Sequence, residues 1–321
     1  MLLKKSSALI RKSVMEIVLL ALCTVLAFSA ENFFSADNIL NVLRNVSMQG
    51  IIAFGMTMVI VSGEIDLSVG SAVAFSGCLT AYLVRVLSAG GISPWLGIPV
   101  AIVGAVAAGS LVGSITGFLR AAFRVPTFIT TLAWMTALSG AAELITGGFP
   151  ITPFPDWYNF IGGGYLFGVP FPAIIFVGVF LSVHFVMNYT TYGRSIYAVG
   201  GNAEVARLSG INVKRVRITV MALVGALAAL AGIMQSSEIM SGSPTTAKGW
   251  ELDVISAVII GGTSLAGGSG TVRGTLIGIV FLGILVNGMT LLDVNEYWQH
   301  VVRGALILAA VMINRVQHHE P

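Results

Sequence analysis

Hydrophobic runs of membrane length recur along the whole chain, and they limit its possible folds more than any other feature. Of the 321 residues, 56% are hydrophobic and 10% are charged, whereas soluble domains have about 25% charged residues. At about 20 apolar residues per spanning helix, the runs predict an all-α polytopic membrane protein of about ten spans, some broken at glycine-rich segments. The spans are expected near residues 14–30, 46–62, 71–88, 95–118, 125–146, 168–189, 218–240, 252–262, 275–291 and 298–314.

The basic residues predict the orientation of the chain. An even number of spans places both termini on one side, and the positive-inside rule makes the side rich in Lys and Arg cytoplasmic. Most of the 17 Lys and Arg residues then fall on the cytoplasmic side, and the outer side is acidic. We therefore expect a single transmembrane domain (1–321) with a short cytoplasmic N-terminus (1–13), a cytoplasmic loop (190–217) and a short cytoplasmic tail (315–321).

Two glycine-rich segments interrupt the apolar runs: IVSGEIDLSVGS at 60–71 and IIGGTSLAGGSGT at 259–271. Irregular backbone at membrane depth must be buried in protein or line a water-filled cavity, and discontinuous helices can mark the path of a transporter. Two interpretations of Glu64 and Asp66 stay open. They line or gate a path for a polar solute, or they cap the helix that begins near Leu67, since acids favour helix N-termini. The candidate pathway residues are Glu64, Asp66, Ser68, Thr263 and Ser264.

The sequence carries no pattern typical of catalysis or cofactor binding. The segment GGTSLAGGSGTVRG lacks the GxxxxGK[ST] pattern of phosphate-binding loops, and neither an HExxH motif nor a GxSxG elbow occurs. Cys23 and Cys78 lie in apolar runs without metal-ligand spacing, which is typical of small core residues. We therefore expect no catalytic, cofactor-binding or metal site in this chain.

The one long basic stretch between apolar runs is YGRSIYAVGGNAEVARLSGINVKRVR at 192–217. Asn202 fits an N-cap and Gly210 fits a C-terminal stop, so a short helix is expected near 202–210. Such a helix on the cytoplasmic face can insert into a cleft of a soluble partner, and the small side chains of Ala203 and Ala206 would permit a close approach. The alternative interpretation is a solvated charged loop, which is common on a cytoplasmic face.

Three ordered segments resemble one known family. GRSIYAVGGNAEVARLSGINV at 193–213 resembles the coupling-helix segment of permeases in bacterial ABC sugar importers of the ribose, xylose and autoinducer-2 type. GEIDLSVGS at 63–71 and GGTSLAGGSGTVRGTLIG at 261–278 are similar to two further segments of that family. The resemblance implies a multi-pass permease of the bacterial inner membrane that catalyses no covalent chemistry.

The resemblance also implies the partners of the chain: a second permease copy or close homologue, a cytoplasmic ATPase pair that binds ATP and Mg²⁺, and a periplasmic sugar-binding protein. The residues expected at the ATPase contact are Gly193, Arg194, Asn202, Ala203, Glu204, Ala206, Arg207 and Gly210. Their order departs from the general importer pattern, in which glutamate often precedes two alanines. The binding protein is expected to dock on the acidic residues of the outer side: Asp156, Glu251, Asp253, Asp293 and Glu296.

Three other functions are compatible with a helical membrane protein. The related permeases for branched-chain amino acids share the broad membrane pattern, but the segments at 63–71 and 261–278 favour the sugar type. An ion-coupled secondary carrier would transport without an ATPase, and the shortage of carboxylates deep in the spans argues against it. A membrane-embedded enzyme would need an active site that the sequence does not contain.

Overall fold

The computed structural model describes residues 14–317, in which thirteen α-helices form the bulk of the fold. The predicted N-terminal segment 1–13 and residues 318–321 of the predicted tail lie outside the described residues. The helices are α1 (Val14–Ser29), α2 (Ala36–Val61), α3 (Val69–Ala89), α4 (Pro94–Phe123), α5 (Thr127–Thr146), α6 (Phe160–Gly163), α7 (Phe171–Tyr189), α8 (Thr191–Gly201), α9 (Ala203–Leu208), α10 (Val213–Glu238), α11 (Trp250–Ile260), α12 (Val272–Leu291) and α13 (Glu296–Gln317).

Each of the predicted spans coincides with a helix, and the prediction of an all-α polytopic membrane protein is confirmed. Within the described residues, seven helices are long and apolar enough to cross a membrane: α2, α3, α4, α5, α7, α10 and α12. Two helices in predicted spans are shorter, α1 with 16 residues and α11 with 11. The total number of spans and the side of the termini stay predictions.

Helix α2 begins ten residues before the predicted second span, because its first turns are polar and a hydropathy pattern does not register them. Ser35 caps this helix by accepting a hydrogen bond from the Asn38 backbone N–H at 3.2 Å. The helix then runs through the centre of the bundle and packs against α7, α10, α11 and α12. From Val46 to Val61 it is almost entirely buried.

Glycines set the close contact between α4 and α10. Gly109, Gly113 and Gly117 repeat every fourth residue and therefore share one face of α4. A Cβ on Gly109 would lie 2.5 Å from the carbonyl oxygen of Gly225, and one on Gly113 would collide with the carbonyl of Met221. Small residues at such spacing let two membrane helices pack backbone against backbone.

The first glycine-rich break, residues 62–68, carries the chain from one end of the bundle toward its middle. Glu64 contacts Arg217 near the start of α10, whereas the backbone of Val73 packs against Gly232, much farther along the same helix. At 1.5 Å per residue, these two levels of α10 are about 22 Å apart. Helix α3 therefore begins inside the bundle, as expected of a broken helix.

A second irregular segment, residues 239–249, folds inward from the opposite end. Gly242 pairs with Ile151 through two backbone hydrogen bonds of 3.0 and 3.1 Å, and Ala247 lies against Gly70 at the start of α3. Helix α11 therefore also begins inside the bundle. Glu251 and Asp253, which were expected on the outer side, therefore lie in the first turn of α11 and not in a loop.

The connection between α5 and α7 is folded onto the same end of α10. A 3-10 helix (Asp156–Asn159) leads into α6, and a two-stranded hairpin follows, β1 (Tyr165–Leu166) and β2 (Val169–Pro170). The buried hydroxyl of Tyr158 donates to the carbonyl of Ile233 at 3.1 Å. The ring of Trp157 stacks on that of Trp95 with centroids 4.6 Å apart. This segment is a packed cover and not a continuous helix.

Candidate functional site

Helix α9 lies where the sequence predicts a short helix, and its ends have the predicted chemistry. The Asn202 side chain accepts hydrogen bonds from the backbone N–H groups of Glu204 and Val205, each at 3.0 Å. Gly210 follows with φ +85°, a conformation that glycine adopts without the steric cost of a Cβ. The N-cap and the stop are therefore local features that the sequence specifies.

One face of α9 is open to the surroundings. Val205 is 57% exposed and Leu208 is 73% exposed, although both are apolar. Glu204 and Arg207 are also exposed and form an ion pair of 2.6 Å between Oε1 and Nη2. The hydrogen bond and charge of Arg207 lower the pKa of the Glu204 carboxyl below its usual value. This face combines apolar contact area with a fixed charge pair.

The residues predicted to contact an ATPase divide into two groups. Asn202, Glu204, Arg207, Gly210 and Arg194 are exposed.

The other residues predicted to contact an ATPase are packed against the rest of this chain. Ala206 is 3% exposed and packs in the main core, and Ala203 is half-buried. Gly193 is buried, since a Cβ there would collide with the backbone of the preceding helix at Val186. Gly193 and Ala206 therefore hold α8 and α9 against the bundle.

Helix α8 packs against both glycine-rich breaks at a contact that we call the glycine junction, formed by Val61, Gly63, Gly200, Gly267 and Gly268. The backbone N–H of Gly268 donates to the carbonyl of Val61 at 2.8 Å. A Cβ on Gly200 would collide with that same carbonyl. The Tyr197 hydroxyl donates to the carbonyl of Gly270 at 2.8 Å. The basic segment and the two breaks thus form one contiguous contact.

A buried ionic cluster lies beside this junction, and we call it the Glu64 cluster. Glu64 is 4% exposed. Its Oε1 lies 2.8 Å from Nε of Arg120 and 2.8 Å from Nε of Arg217, and its Oε2 accepts a hydrogen bond from the Thr127 hydroxyl at 2.9 Å. These partners come from the end of α4, the start of α10 and the start of α5. One carboxylate therefore connects the ends of three helices to the first break.

Sequence reasoning missed the partners in this cluster. Arg120 and Arg217 were counted only as basic residues of the predicted cytoplasmic side. The available signal was that both stand at the ends of apolar spans on the same predicted side as Glu64, where a buried carboxylate requires a cation.

Asp66 has a different role from Glu64. Its Oδ1 accepts hydrogen bonds from the backbone N–H of Ser68 at 2.8 Å and from the Ser68 hydroxyl at 2.6 Å. This arrangement closes the turn that leads into α3, whose N-cap residue Ser68 makes no side-chain cap hydrogen bond. Both interpretations of Asp66 stay predictions. Glu64 instead forms an ionic contact that neither interpretation included.

The second glycine-rich break, residues 261–271 between α11 and α12, is closed by its own hydrogen bonds. The backbone N–H of Ser264 donates to the carbonyl of Ser269 at 3.1 Å, and the N–H of Gly267 donates to the carbonyl of Ser264 at 3.1 Å. Thr263 is 0% exposed and Ser264 is 3% exposed. All five predicted pathway residues are therefore buried among the helices and not on the outer surface of the bundle. Their role in a path stays a prediction.

The acidic residues predicted to receive a binding protein are in unlike places. Asp156, Asp293 and Glu296 are exposed. Glu251 is half-buried beside Gly70, and the Asp253 Oδ2 accepts a hydrogen bond from Arg303 Nη1 at 2.9 Å. Only the three exposed residues offer charge to a soluble partner in this arrangement. Within residues 14–317, no group of three or more His, Cys, Asp or Glu side chains could hold a metal ion.

Comparisons with known proteins connect this architecture to a transport family. A family model described as "Branched-chain amino acid transport system / permease component" matches residues 38–311. The ribose import permease protein RbsC of Escherichia coli (strain K12) is 43% identical over 302 residues, which cover 93% of this chain and 92% of that protein.

Two further relatives extend the similarity. RbsC of Bacillus subtilis (strain 168) is 42% identical over 299 residues, 92% of this chain and 90% of that protein. The L-arabinose ABC transporter permease protein AraH of Azospirillum brasilense is 35% identical over 312 residues, 97% of this chain and 90% of that protein. No solved structure shows a significant match. The similarity extends over nearly the whole length of this chain and of each relative. This chain therefore belongs to the family of ABC transporter permease components that includes these proteins.

Proposed function

We propose that this chain is the membrane-spanning permease subunit of an ATP-driven importer that moves a monosaccharide from a periplasmic binding protein into the cytoplasm. Relatives of 43% and 35% identity that are named for ribose and L-arabinose support a sugar as the solute. The family model carries a branched-chain amino acid description, and a branched-chain amino acid is therefore the alternative solute. The protein is a multi-pass protein of the bacterial inner membrane.

The observation that carries the proposal is the exposed face of α9. Val205 and Leu208 are both apolar and exposed beside the Glu204–Arg207 ion pair, and such a face suits contact with another protein. The basic composition of residues 192–217 supports a cytoplasmic location for this surface. ATP and Mg²⁺ bind to the separate ATPase pair that docks here, and this chain supplies no catalytic group.

The contacts of α8 give a route from the docking surface to the membrane helices. Helix α9 is fixed to the bundle by Ala206, and α8 is fixed to the glycine junction by Gly200 and Tyr197. A displacement of α9 by the ATPase therefore moves α8 against both breaks as a rigid body. The Glu64 cluster passes the same displacement to α4, α5 and α10.

We place the closed inner end of the solute path at the two breaks, with Glu64, Asp66, Ser68, Thr263 and Ser264 as its residues. The burial of these residues is consistent with a closed gate. Small or weakly polar side chains leave room for a solute when the helices separate. A second permease copy, or a close homologue, completes the transmembrane unit. The binding protein docks at the opposite end, where Asp156, Asp293 and Glu296 are exposed.

Reconstitution of the complete complex tests this function. The permease, its ATPase and its binding protein are placed in liposomes, and uptake of labelled D-ribose, L-arabinose, D-xylose and L-leucine is measured with and without ATP at the ATPase side. We expect uptake of at least one sugar that requires ATP and both partners. Uptake of L-leucine alone would support the branched-chain alternative, and uptake by the isolated chain driven by an ion gradient would contradict the ABC mechanism.

A further inference from the structure

A cavity of about 280 Å³ lies between α2, α10, α11, α12 and α13. It is separate from the glycine junction and the Glu64 cluster. Three amide side chains of α2 line it at intervals of four residues, Asn41, Asn45 and Gln49, and this spacing puts them on one face of the helix. Gln235 and Asn287 add further amides from α10 and α12. Five neutral amides therefore share the lining of this cavity with apolar side chains and with one Asp–Arg pair.

The floor of this cavity lies halfway along α2. Gln49 is thirteen residues from the start of this 26-residue helix, or about 20 Å along the helix axis. Trp250 and Asp253 of the first turn of α11 also line the floor. Discontinuous helices that begin near the midplane commonly form solute sites in transporters.

The chemistry of the lining favours an uncharged polyol. Each Asn or Gln side chain supplies two N–H donors and one acceptor oxygen, a set that matches sugar hydroxyls, which both donate and accept. The Asn45 amide donates to the Asn41 side chain at 3.5 Å, which is longer than an ordinary hydrogen bond and leaves its capacity largely unused.

The charged groups of the floor neutralise each other. Asp253 accepts a hydrogen bond from Arg303 at 2.9 Å and one from the Gln49 amide at 3.4 Å. Neither charge is therefore left to bind the carboxylate or ammonium group of a free amino acid. Arg303 also has a buried Nε that finds no hydrogen-bond partner among the described residues.

We infer that this cavity is a low-affinity entry site for a neutral monosaccharide, open toward the end of the bundle at which α2 begins and closed below by the first turn of α11. The inference rests on the proposed function and extends it, because it assigns the first solute contacts to Asn41, Asn45 and Gln49 and not to the glycine-rich breaks. Weak, neutral contacts suit such a site, since tight binding would slow the release of the solute.

Uptake by the reconstituted complex gives the first test. Asn45→Leu replaces the amide by an apolar group of similar size, and Asn188→Leu is the matched control because Asn188 is an exposed amide of α7 outside the cavity. We expect Asn45→Leu to lower kcat/KM for labelled D-ribose about three- to tenfold, the effect of one or two lost hydrogen bonds. Asn188→Leu should keep the wild-type value.

Cysteine labelling gives an independent readout on the full chain in proteoliposomes. The two native cysteines are replaced (Cys23→Ala, Cys78→Ala), and Asn45→Cys is compared with Val177→Cys, which is 50% exposed on α7. A membrane-impermeant thiosulfonate should label Asn45→Cys faster than Val177→Cys, and concentrated D-ribose should slow this labelling about threefold.

The outcomes separate the two proposals. If the wild-type complex takes up no sugar, the proposed function fails. If it takes up sugar, while Asn45→Leu retains the wild-type kcat/KM or Asn45→Cys reacts no faster than Val177→Cys, the cavity is not the entry site and only this inference is overturned.

Discussion

The Nε atom of Arg217 lies 2.8 Å from the Glu64 carboxylate, although the two residues belong to the first turns of α10 and to the break after α2. Arg120 binds the same oxygen from the end of α4. A buried carboxylate is strongly attracted to two neighbouring cations. Removal of one partner leaves a buried charge without compensation, which destabilises the protein. This contact therefore fixes the relative positions of the break, α4 and α10 at the end of the bundle that carries α9.

Substitution of Glu64 by Gln should destabilise the protein. Two arginines would remain close together without their shared anion, and the loss of one partner from a buried ion pair costs about 3 kcal/mol. We expect a corresponding decrease in the free energy of unfolding, measured by SDS-induced unfolding of the purified chain in mixed micelles. Glu204→Gln, which removes an exposed pair, is the control and should leave the unfolding free energy unchanged. Equal stability of the two variants would contradict a structural role for the Glu64 cluster.

Substitution of Gly200 by Ala should uncouple ATP hydrolysis by the partner from transport through this chain. The new Cβ would collide with the Val61 carbonyl and separate α8 from the glycine junction. A Cβ on the neighbouring Gly201 meets no atom within 4 Å, so Gly201→Ala is a control of the same size. We expect ATP-driven uptake to be lost in Gly200→Ala and kept in Gly201→Ala. Wild-type uptake by both variants would show that α8 does not transmit force through this contact.

The face of α9 offers a test of ATPase docking. The double variant Glu204→Lys/Arg207→Glu keeps an ion pair within the helix but reverses the charges that a partner meets. We expect unchanged insertion and thermal stability, together with the loss of coupling between ATP hydrolysis and uptake. Leu208→Ser should weaken ATPase binding without changing the fold, because the side chain is 73% exposed. Normal coupling in the double variant would count strongly against docking at α9.

The glycine face of α4 should control stability and not solute choice. Gly113→Val would force the backbones of α4 and α10 apart at Met221, and such overpacking costs about 2 kcal/mol. Gly140→Ala on α5 has open space for the new methyl group and should not destabilise. Thermal unfolding in detergent would reveal the difference, and a stable Gly113→Val protein would mean that this packing is not tight.

Neutralising the exposed acids should weaken docking of the binding protein. The variant Asp293→Asn/Glu296→Gln removes two negative charges from the surface expected to steer that partner, and steering acts chiefly on the association rate. The effect should be larger at about 0.01 M salt than at about 0.15 M, because the Debye length falls from about 30 Å to about 8 Å. Association rates that depend on neither the substitutions nor the salt concentration would contradict electrostatic steering of the binding protein by these acids.

The sequence by itself determined the features that depend on neighbouring residues. Apolar runs of sufficient length are stable in a bilayer only as structures that pair their own backbone groups, so the helices follow from composition. The short α9 follows from Asn202 and Gly210 for the same local reason, since a cap and a left-handed stop act on adjacent backbone groups. The three motifs also sufficed to indicate the permease family.

Only the tertiary structure decided which distant residues meet. The polar start of α2 was missed by the hydropathy pattern because Asn41 and Asn45 are compatible with a membrane helix only when they face a cavity, and that cavity is made by other helices. Asp253 was expected at the outer surface because nothing near it in sequence reveals that residues 239–249 fold inward and bring it to Arg303. The partners of Glu64 were equally hidden. Packing brings together groups far apart in the chain, and local patterns carry no record of these contacts.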